Sequence, residues 1–362
     1  MRVQRLGLFL LSLWMTAACS AQTPKVETVA TGLKNPWNIA FLPDGRWLVT
    51  ERAGQLRVIK DGKLQAEPVA GLPPVYAASQ GGLFDVLLAP DFAESQVLYL
   101  SFAHGSPKAN GTRVIRARLD GKQLTEVTPI FTASPLKDTP VHYGGRMAWD
   151  ATGKLLLTLG DGFDYREEAQ KLGSHFGAIV RLNPDGSVPA DNPFVGRPGA
   201  KPEIFSYGHR NVQGLVVTAD GRIYSHEHGP RGGDELNHIQ PGLNYGWPAI
   251  TYGVDYSGAV ISPYTEMEGM EQPLIQWTPS LAISGMTVVS GERHAAWHGD
   301  LLISSLVERS VRRIELGPDG KASQSLLYQH DARLRDVQMG PDGHIYLLTD
   351  SGNGAVLRLL VD

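Results

Sequence analysis

Phe41-Leu42-Pro43-Asp44-Gly45-Arg46-Trp47-Leu48-Val49 sets an Asp-Gly pair between two apolar runs, and a turn flanked by apolar residues recurs along the chain. It returns as Trp149-Asp150-Ala151-Thr152-Gly153-Lys154-Leu155-Leu156-Leu157, as Val217-Thr218-Ala219-Asp220-Gly221-Arg222-Ile223-Tyr224, and as Met339-Gly340-Pro341-Asp342-Gly343-His344-Ile345-Tyr346. Asp-Gly between apolar runs is a strong hairpin signal, because the pair tolerates the positive φ that a tight strand-to-strand turn demands. Two looser copies fill the gaps: Ala89-Pro90-Asp91-Phe92 before Val97-Leu98-Tyr99-Leu100, and Trp297-His298-Gly299-Asp300 before Leu301-Leu302-Ile303. Copies spaced by several tens of residues indicate radial repetition of small antiparallel sheets, none of which buries both faces alone. The pattern predicts an all-β chain folded as a six-bladed β-propeller of four-stranded antiparallel blades, with a β-sandwich array as the alternative. Helical periodicity is confined to Tyr165 through Leu172. The segment from Lys25 to Ala30 is expected to close the ring by pairing into the blade made mostly by the carboxyl terminus. No linker divides the chain, so residues 22–362 are read as one catalytic domain.

The amino terminus has a different character. Arg2 and Arg5 precede an apolar run from Leu6 to Met15, followed by the small residues Ala17, Ala18 and Ala21. Residues 1–21 read as a secretory signal, too short for a permanent membrane span. Cys19, the one cysteine of the chain, sits at the cleavage point with Ser20 after it, which resembles a bacterial lipobox with Thr16 in the place of the usual leucine. Cys19-Ser20-Ala21 also suits an ordinary small-residue cleavage site before Gln22. Both routes export the protein, either free in the periplasm or as an outer-membrane-anchored lipoprotein, and without a disulfide.

Composition narrows the partners. With 42% hydrophobic residues, 41 glycines and 24 prolines, the chain can build a sizeable core. A net charge of −4 with scattered lysines and arginines provides no basic stripe to neutralise phosphates, so nucleic acid is not an expected partner.

Chemistry concentrates in the loops. Residues 227–248, Glu227-His228-Gly229-Pro230-Arg231-Gly232-Gly233-Asp234-Glu235 and then Asn244-Tyr245-Gly246-Trp247-Pro248, gather carboxylates, a histidine and bare backbone in one stretch. Calcium takes oxygens from carboxylates and carbonyls, and glycines let a chain turn tightly enough to aim them inward. A solvated surface loop is the plain alternative. The His226-Glu227-His228 cluster invites a zinc reading, but alternate residues of a strand point to opposite faces and catalytic zinc needs three converging ligands.

Taken together, the loop motifs resemble those of the bacterial aldose sugar dehydrogenases that use pyrroloquinoline quinone (PQQ), relatives of soluble glucose dehydrogenase. The matching residues are Asn35-Pro36-Trp37, Gln80-Gly81-Gly82-Leu83, His142-Tyr143-Gly144-Gly145-Arg146, Tyr207-Gly208-His209-Arg210-Asn211, the 227–235 and 244–248 stretches, and Arg333-Leu334-Arg335-Asp336. They cover the chain from about Asn35 to Arg358 in order. The resemblance implies the six-bladed fold that the repeats predict independently.

It also implies roles. His142 matches the family's general base, which takes the proton of the sugar's anomeric hydroxyl while hydride passes to the quinone; imidazole suits this because it titrates near working pH. Gly144 and Gly145 are expected to leave open space beside its ring. Arg210 matches the cation beside the quinone oxygen that becomes negative on reduction. Gln80, Asn211 and Tyr256 look like polar contacts around the cofactor, and Arg333 and Arg335 resemble the arginines that face its carboxylates. By the same resemblance, the carbonyls of Gly229 and Pro230 hold a catalytic calcium, and Glu235 with an oxygen of Tyr245 holds a structural one.

One position departs from the pattern. Where these dehydrogenases carry a lysine reaching a cofactor carboxylate, Ser304-Ser305-Leu306-Val307-Glu308-Arg309 has Val307, and Arg309 is the nearest cation available to compensate. The expected activity is oxidation of an aldose to a lactone, with electrons passed to an external acceptor. A calcium-dependent lactonase or esterase on the same fold and a non-catalytic binding propeller are the alternatives. The preferred sugar, the acceptor, and the choice between monomer and homodimer are left open by the sequence.

Overall fold

The computed structural model describes residues 24–317 and 320–361. The proposed signal peptide and Cys19 lie outside the described residues. Six separate four-stranded sheets make up the fold, and every strand pair within them is antiparallel. The first strands of successive sheets are Pro36–Phe41, Leu83–Leu88, Met147–Trp149, Val212–Val217, Ile283–Val288 and Leu334–Met339. These lie against one another in a closed ring, the last against the first, which makes the chain a six-bladed propeller rather than a sandwich array. Each Asp-Gly turn or looser copy joins the first strand of a blade to its second. In the first copy, Asp44 accepts the Arg46 amide at 3.0 Å and Gly45 adopts φ 86°, a left-handed conformation that glycine takes without a Cβ clash.

The ring is closed as the sequence suggests. Lys25–Leu33 pairs antiparallel with Gly354–Leu360 and supplies the outer strand of the sixth blade, so the two ends of the chain share one sheet. Cores form between blades rather than within them. Leu48, Leu56 and Val58 of the first blade pack on Leu98, Leu100 and Phe102 of the second, while Tyr346 and Leu348 of the sixth meet Ile39 and Val49 of the first. A sheet with both faces covered in this way reads as an apolar run instead of a clean alternation, as Leu155–Thr158 and Ile345–Thr349, buried throughout, illustrate. The segment of helical periodicity, Tyr165 to Leu172, forms only a short 3-10 turn, Arg166–Gln170, in the connection between two strands of the third blade. Glycine and proline punctuation nearby prevents a longer helix.

The two ends of the central channel differ. At the Asp-Gly end lies an open cavity of about 670 Å³ with a largely aliphatic wall that includes Val86, Met147, Leu215 and Met286. Deeper in, Arg146 pairs with Asp336 at 3.0 Å and Asn38 donates to the same carboxylate at 3.2 Å, while the buried Asp85 carboxylate accepts the Met147 amide at 2.7 Å. The opposite end receives the starts of the first strands and the ends of the second strands. The polar loops converge there.

Candidate active site

Each blade delivers residues to this end at two places, just before its first strand and just after its second. His142 precedes Met147–Trp149, and Asp161 follows Leu155–Thr158 in the same blade. The His142 ring is 4% exposed, and its Nδ1 lies 2.6 Å from Asp161 Oδ1. Asp161 is fixed in turn, because its Oδ2 accepts the Trp247 indole N–H at 2.8 Å and its Oδ1 accepts the Phe163 amide at 2.8 Å. Burial pushes the His142 imidazolium down from its ordinary value, against the opposing pull of Asp161, while Arg210 and Lys137 reinforce the shift. His142 is therefore neutral at physiological pH, with Nδ1–H aimed at Asp161 and Nε2 left to accept a proton. Its backbone is held in the left-handed region at φ 51°, and its amide donates to Gln80 Oε1 at 2.9 Å. An inter-blade hydrogen bond thus keeps the histidine in a conformation that non-glycine residues seldom adopt.

The glycines after it act differently from the expectation. A Cβ on Gly144 would sit 2.5 Å from the Thr158 carbonyl oxygen, and one on Gly145 would sit 2.7 Å from the Phe84 ring. They permit close packing of the blade entrance and open no space beside the imidazole.

Arg210 is 3% exposed and donates through Nη1 to the carbonyls of Gly229 at 2.8 Å and His228 at 3.1 Å. Its Nε is buried without a partner, and its guanidinium lies 5.3 Å from the centre of the Trp247 ring and 5.9 Å from that of Tyr256. His142, Asp161, Arg210, Pro230, Trp247 and Tyr256 line one cavity of about 260 Å³. Phe163 and Tyr256 stack at its rim, 6.3 Å apart and 20° from parallel. Gln80, Asn211, Arg333 and Arg335 line a neighbouring cavity of about 270 Å³, together with Trp37, Arg52, His228 and Val307. Tyr256 thus stands with the histidine and Arg210, apart from Gln80, Asn211, Arg333 and Arg335.

Arg333 and Arg335 both reach Asp350 Oδ2, at 3.2 and 3.0 Å, and so face the same side as expected. Asn211 Oδ1 accepts the Gly144 amide at 3.2 Å. Arg309 does not lean in: its guanidinium donates to the Asp331 carbonyl at 2.9 Å, among exposed groups. Val307 is 60% exposed at the rim of the second cavity.

The residues expected to bind calcium gather around a void of about 10 Å³ lined by Glu227, Gly229, Glu235 and Tyr245, among others. Burial and the neighbouring Glu227 push the Glu235 carboxyl up to about 8. The Tyr245 hydroxyl is occupied, donating to His238 O at 2.7 Å and accepting from Gln240 N at 2.9 Å, which leaves its carbonyl as the oxygen for a cation. Pro230 lines the histidine cavity rather than this void, and the Gly229 carbonyl already receives Arg210. The His226-Glu227-His228 cluster splits as strand geometry requires: His226 faces Gly285 O, His228 faces Ile283 O, and Glu227 accepts from His209 Nδ1 at 2.9 Å and from the Arg210 amide.

Asp161, Trp247 and Phe163 were not singled out as site residues from the sequence. The signal for Asp161 was available: Leu159-Gly160-Asp161-Gly162 places a carboxylate between glycines where an apolar strand ends. Trp247 lay within a quoted motif, but its contact with Asp161 spans 86 positions and leaves no local trace.

The family described as Glucose / Sorbosone dehydrogenase matches residues 33–358. Aldose sugar dehydrogenase YliI of Escherichia coli is 40% identical over 96% of this chain and 95% of its own length. Quinoprotein glucose dehydrogenase B of Acinetobacter calcoaceticus is 26% identical over 90% and 85%. The solved PQQ-bound form of aldose sugar dehydrogenase from Streptomyces coelicolor superposes with a TM-score of 0.77 at 29% identity, covering 94% of this chain and 99% of that one. A six-bladed propeller whose residues 33–358 match this family, with a 40% identical relative over 96% of the chain, belongs to the glucose/sorbosone dehydrogenase family.

Proposed function

We propose that the protein oxidises aldose sugars at the anomeric carbon to lactones, with PQQ as cofactor, calcium beside it, and His142 as general base. The observation that carries this reading is the 2.6 Å His142–Asp161 contact at the wall of a cavity that also holds Arg210. The residues fit a flat, tri-anionic cofactor. The second cavity is lined by three arginines, Arg52, Arg333 and Arg335, and by the single acidic residue Asp350, and the buried Arg210 Nε has no partner. Gln80, Arg210, Asn211, Arg333 and Arg335, with Tyr256 at the rim, would hold PQQ. The half-buried Glu235 fits a divalent cation, because a carboxyl raised by burial and by a second carboxylate gains most from a positive charge nearby. Glu235 and the Tyr245 carbonyl would hold a structural calcium, and the Gly229 and Pro230 carbonyls a catalytic one.

When bound, PQQ supplies the two-electron acceptor and the calcium beside it polarises that acceptor. The chain supplies the rest. His142 Nε2 accepts the proton of the anomeric hydroxyl as the C–H bond breaks. Asp161 fixes the tautomer that leaves Nε2 free and stabilises the imidazolium that forms. Arg210 holds a buried positive charge where negative charge develops, and stays in place through its bonds to the 228 and 229 carbonyls. Phe163 and Tyr256 offer apolar faces at the mouth that cover the sugar and exclude water. The reduced protein then passes electrons to an external acceptor. The lactonase reading needs free axial carboxylates, and Asp336 is paired with Arg146 instead. Residues 1–21 are proposed to export the chain to the periplasm, with Cys19 as a lipid anchor and residues 22–362 as the catalytic domain. Identifying the product of aldose turnover as the lactone by NMR, in step with dye reduction, tests the reading; ester or lactone hydrolysis in its place would overturn it.

A further inference from the structure

The cavity with Arg333 and Arg335 is lined by a third arginine, Arg52, which matched no expected role. Arg52 directly follows the strand Trp47–Glu51, so the first blade delivers it to the site end as the third blade delivers Asp161. Its backbone is tied on both sides: its amide donates to Asn35 O at 3.1 Å, and its carbonyl accepts from Leu83 N at 3.0 Å. The stem is admitted only beside a glycine. A Cβ on Gly82 would lie 2.2 Å from the Arg52 carbonyl oxygen and 2.4 Å from its Cγ. Gly82 belongs to the same turn as Gln80, which holds the His142 amide.

Nearby arginines with structural duties have partners. Arg57 pairs with Glu51 at 3.4 Å and Arg46 with Asp44 at 2.7 Å. Among the described residues the Arg52 guanidinium has no hydrogen bond and no ion pair, although the residue is partly buried and lines the cavity. The carboxylate of this cavity, Asp350, is already shared by Arg333 and Arg335. A planar fork held at a cavity wall without an anion is arranged for an anion that arrives with a ligand. The lysine that the family resemblance expects is absent here, since Val307 occupies the position and Arg309 is engaged with Asp331 O.

We propose that Arg52 binds a carboxylate of the cofactor and supplies the cation that Val307 does not. This rests on the PQQ reading above and adds a residue to it. Equilibrium binding of PQQ to calcium-loaded apoprotein tests it through quenching of tryptophan fluorescence, with Trp37 in the same cavity wall as reporter. Arg52→Gln and Arg52→Ala should raise the Kd about tenfold or more, the usual size of a lost charge-assisted bond. Arg52→Lys should recover most of the loss, and Arg309→Ala should bind as the wild type does. Val307→Lys in the Arg52→Gln background should restore affinity, and the Kd of Arg52→Gln should depend less steeply on salt. Thermal melts of the apoproteins show that the variants fold. Wild-type binding with Arg52→Gln within twofold of it would overturn the role of Arg52 and leave the PQQ reading standing. Wild-type protein without saturable quenching by PQQ would instead overturn the PQQ reading itself.

Discussion

His142 and Asp161 meet at 2.6 Å although one precedes the first strand of the third blade and the other follows its second strand. Two strands of one sheet thus fix the distance between imidazole and carboxylate, so the pair is as rigid as the blade that bears it. Replacing His142 by glutamine should leave cofactor uptake nearly intact while cutting sugar oxidation about a hundredfold or more, the usual size of a lost general base. PQQ titration and steady-state turnover on the same preparation separate the two effects.

Asp161→Asn keeps the shape of that contact but removes the charge. Turnover should fall by about a hundredfold or more, because the imidazole loses its preferred tautomer and the support for its protonated form. Asp161 raises the affinity of His142 for a proton while burial lowers it. The acid limb of kcat/KM, which burial of His142 should set below the ordinary histidine range in the wild type, should therefore move still lower in the variant. A limb that stays in place or rises would show that another group titrates there.

The proposed calcium site would link calcium and pH through Glu235. Its carboxyl is raised in the folded apoprotein, so the fold binds a proton that the unfolded chain has already released between the ordinary glutamate range and about 8. Apoprotein stability from this group is full below that window and lost as pH rises through it. Thermal midpoints of calcium-free protein should fall across the window, Glu235→Gln should flatten the fall, and saturating calcium should raise the midpoint most at the alkaline end.

Val307→Lys should tighten PQQ binding. The side chain stands 60% exposed at the cavity rim, so solvent screening holds the gain to about 1 kcal/mol, roughly fivefold in Kd. Fluorescence titration reads it directly, and unchanged affinity would mean that the Arg52, Arg333 and Arg335 set already satisfies the carboxylates.

The fold was legible because a propeller repeats its turn chemistry. Asp44, Asp150, Asp220 and Asp342 mark the same inner hairpin in four blades, and the positive φ of the glycines after them is a local requirement that survives in sequence. The sites on the loops were legible only as motifs. His142, Arg210 and the Arg333–Arg335 pair could be named, but Asp161 and Arg52 act through neighbours far along the chain. Trp247 is joined to Asp161 across 86 positions, and Leu83 is joined to Arg52 across blades. The glycines at 144 and 145 misled for the same reason, since what they admit is the backbone at Thr158 and the ring of Phe84.

Reconstitution is the most direct measurement of the central claim, because a dehydrogenase, a hydrolase and a binding propeller differ in their need for an organic redox cofactor. Protein made without PQQ should be inert toward aldoses; PQQ with calcium should produce dye reduction, calcium alone should not, and chelation before assembly should block the gain. Lactone hydrolysis by the calcium-only protein, or sugar oxidation that persists in His142→Gln at the wild-type rate, would contradict the account.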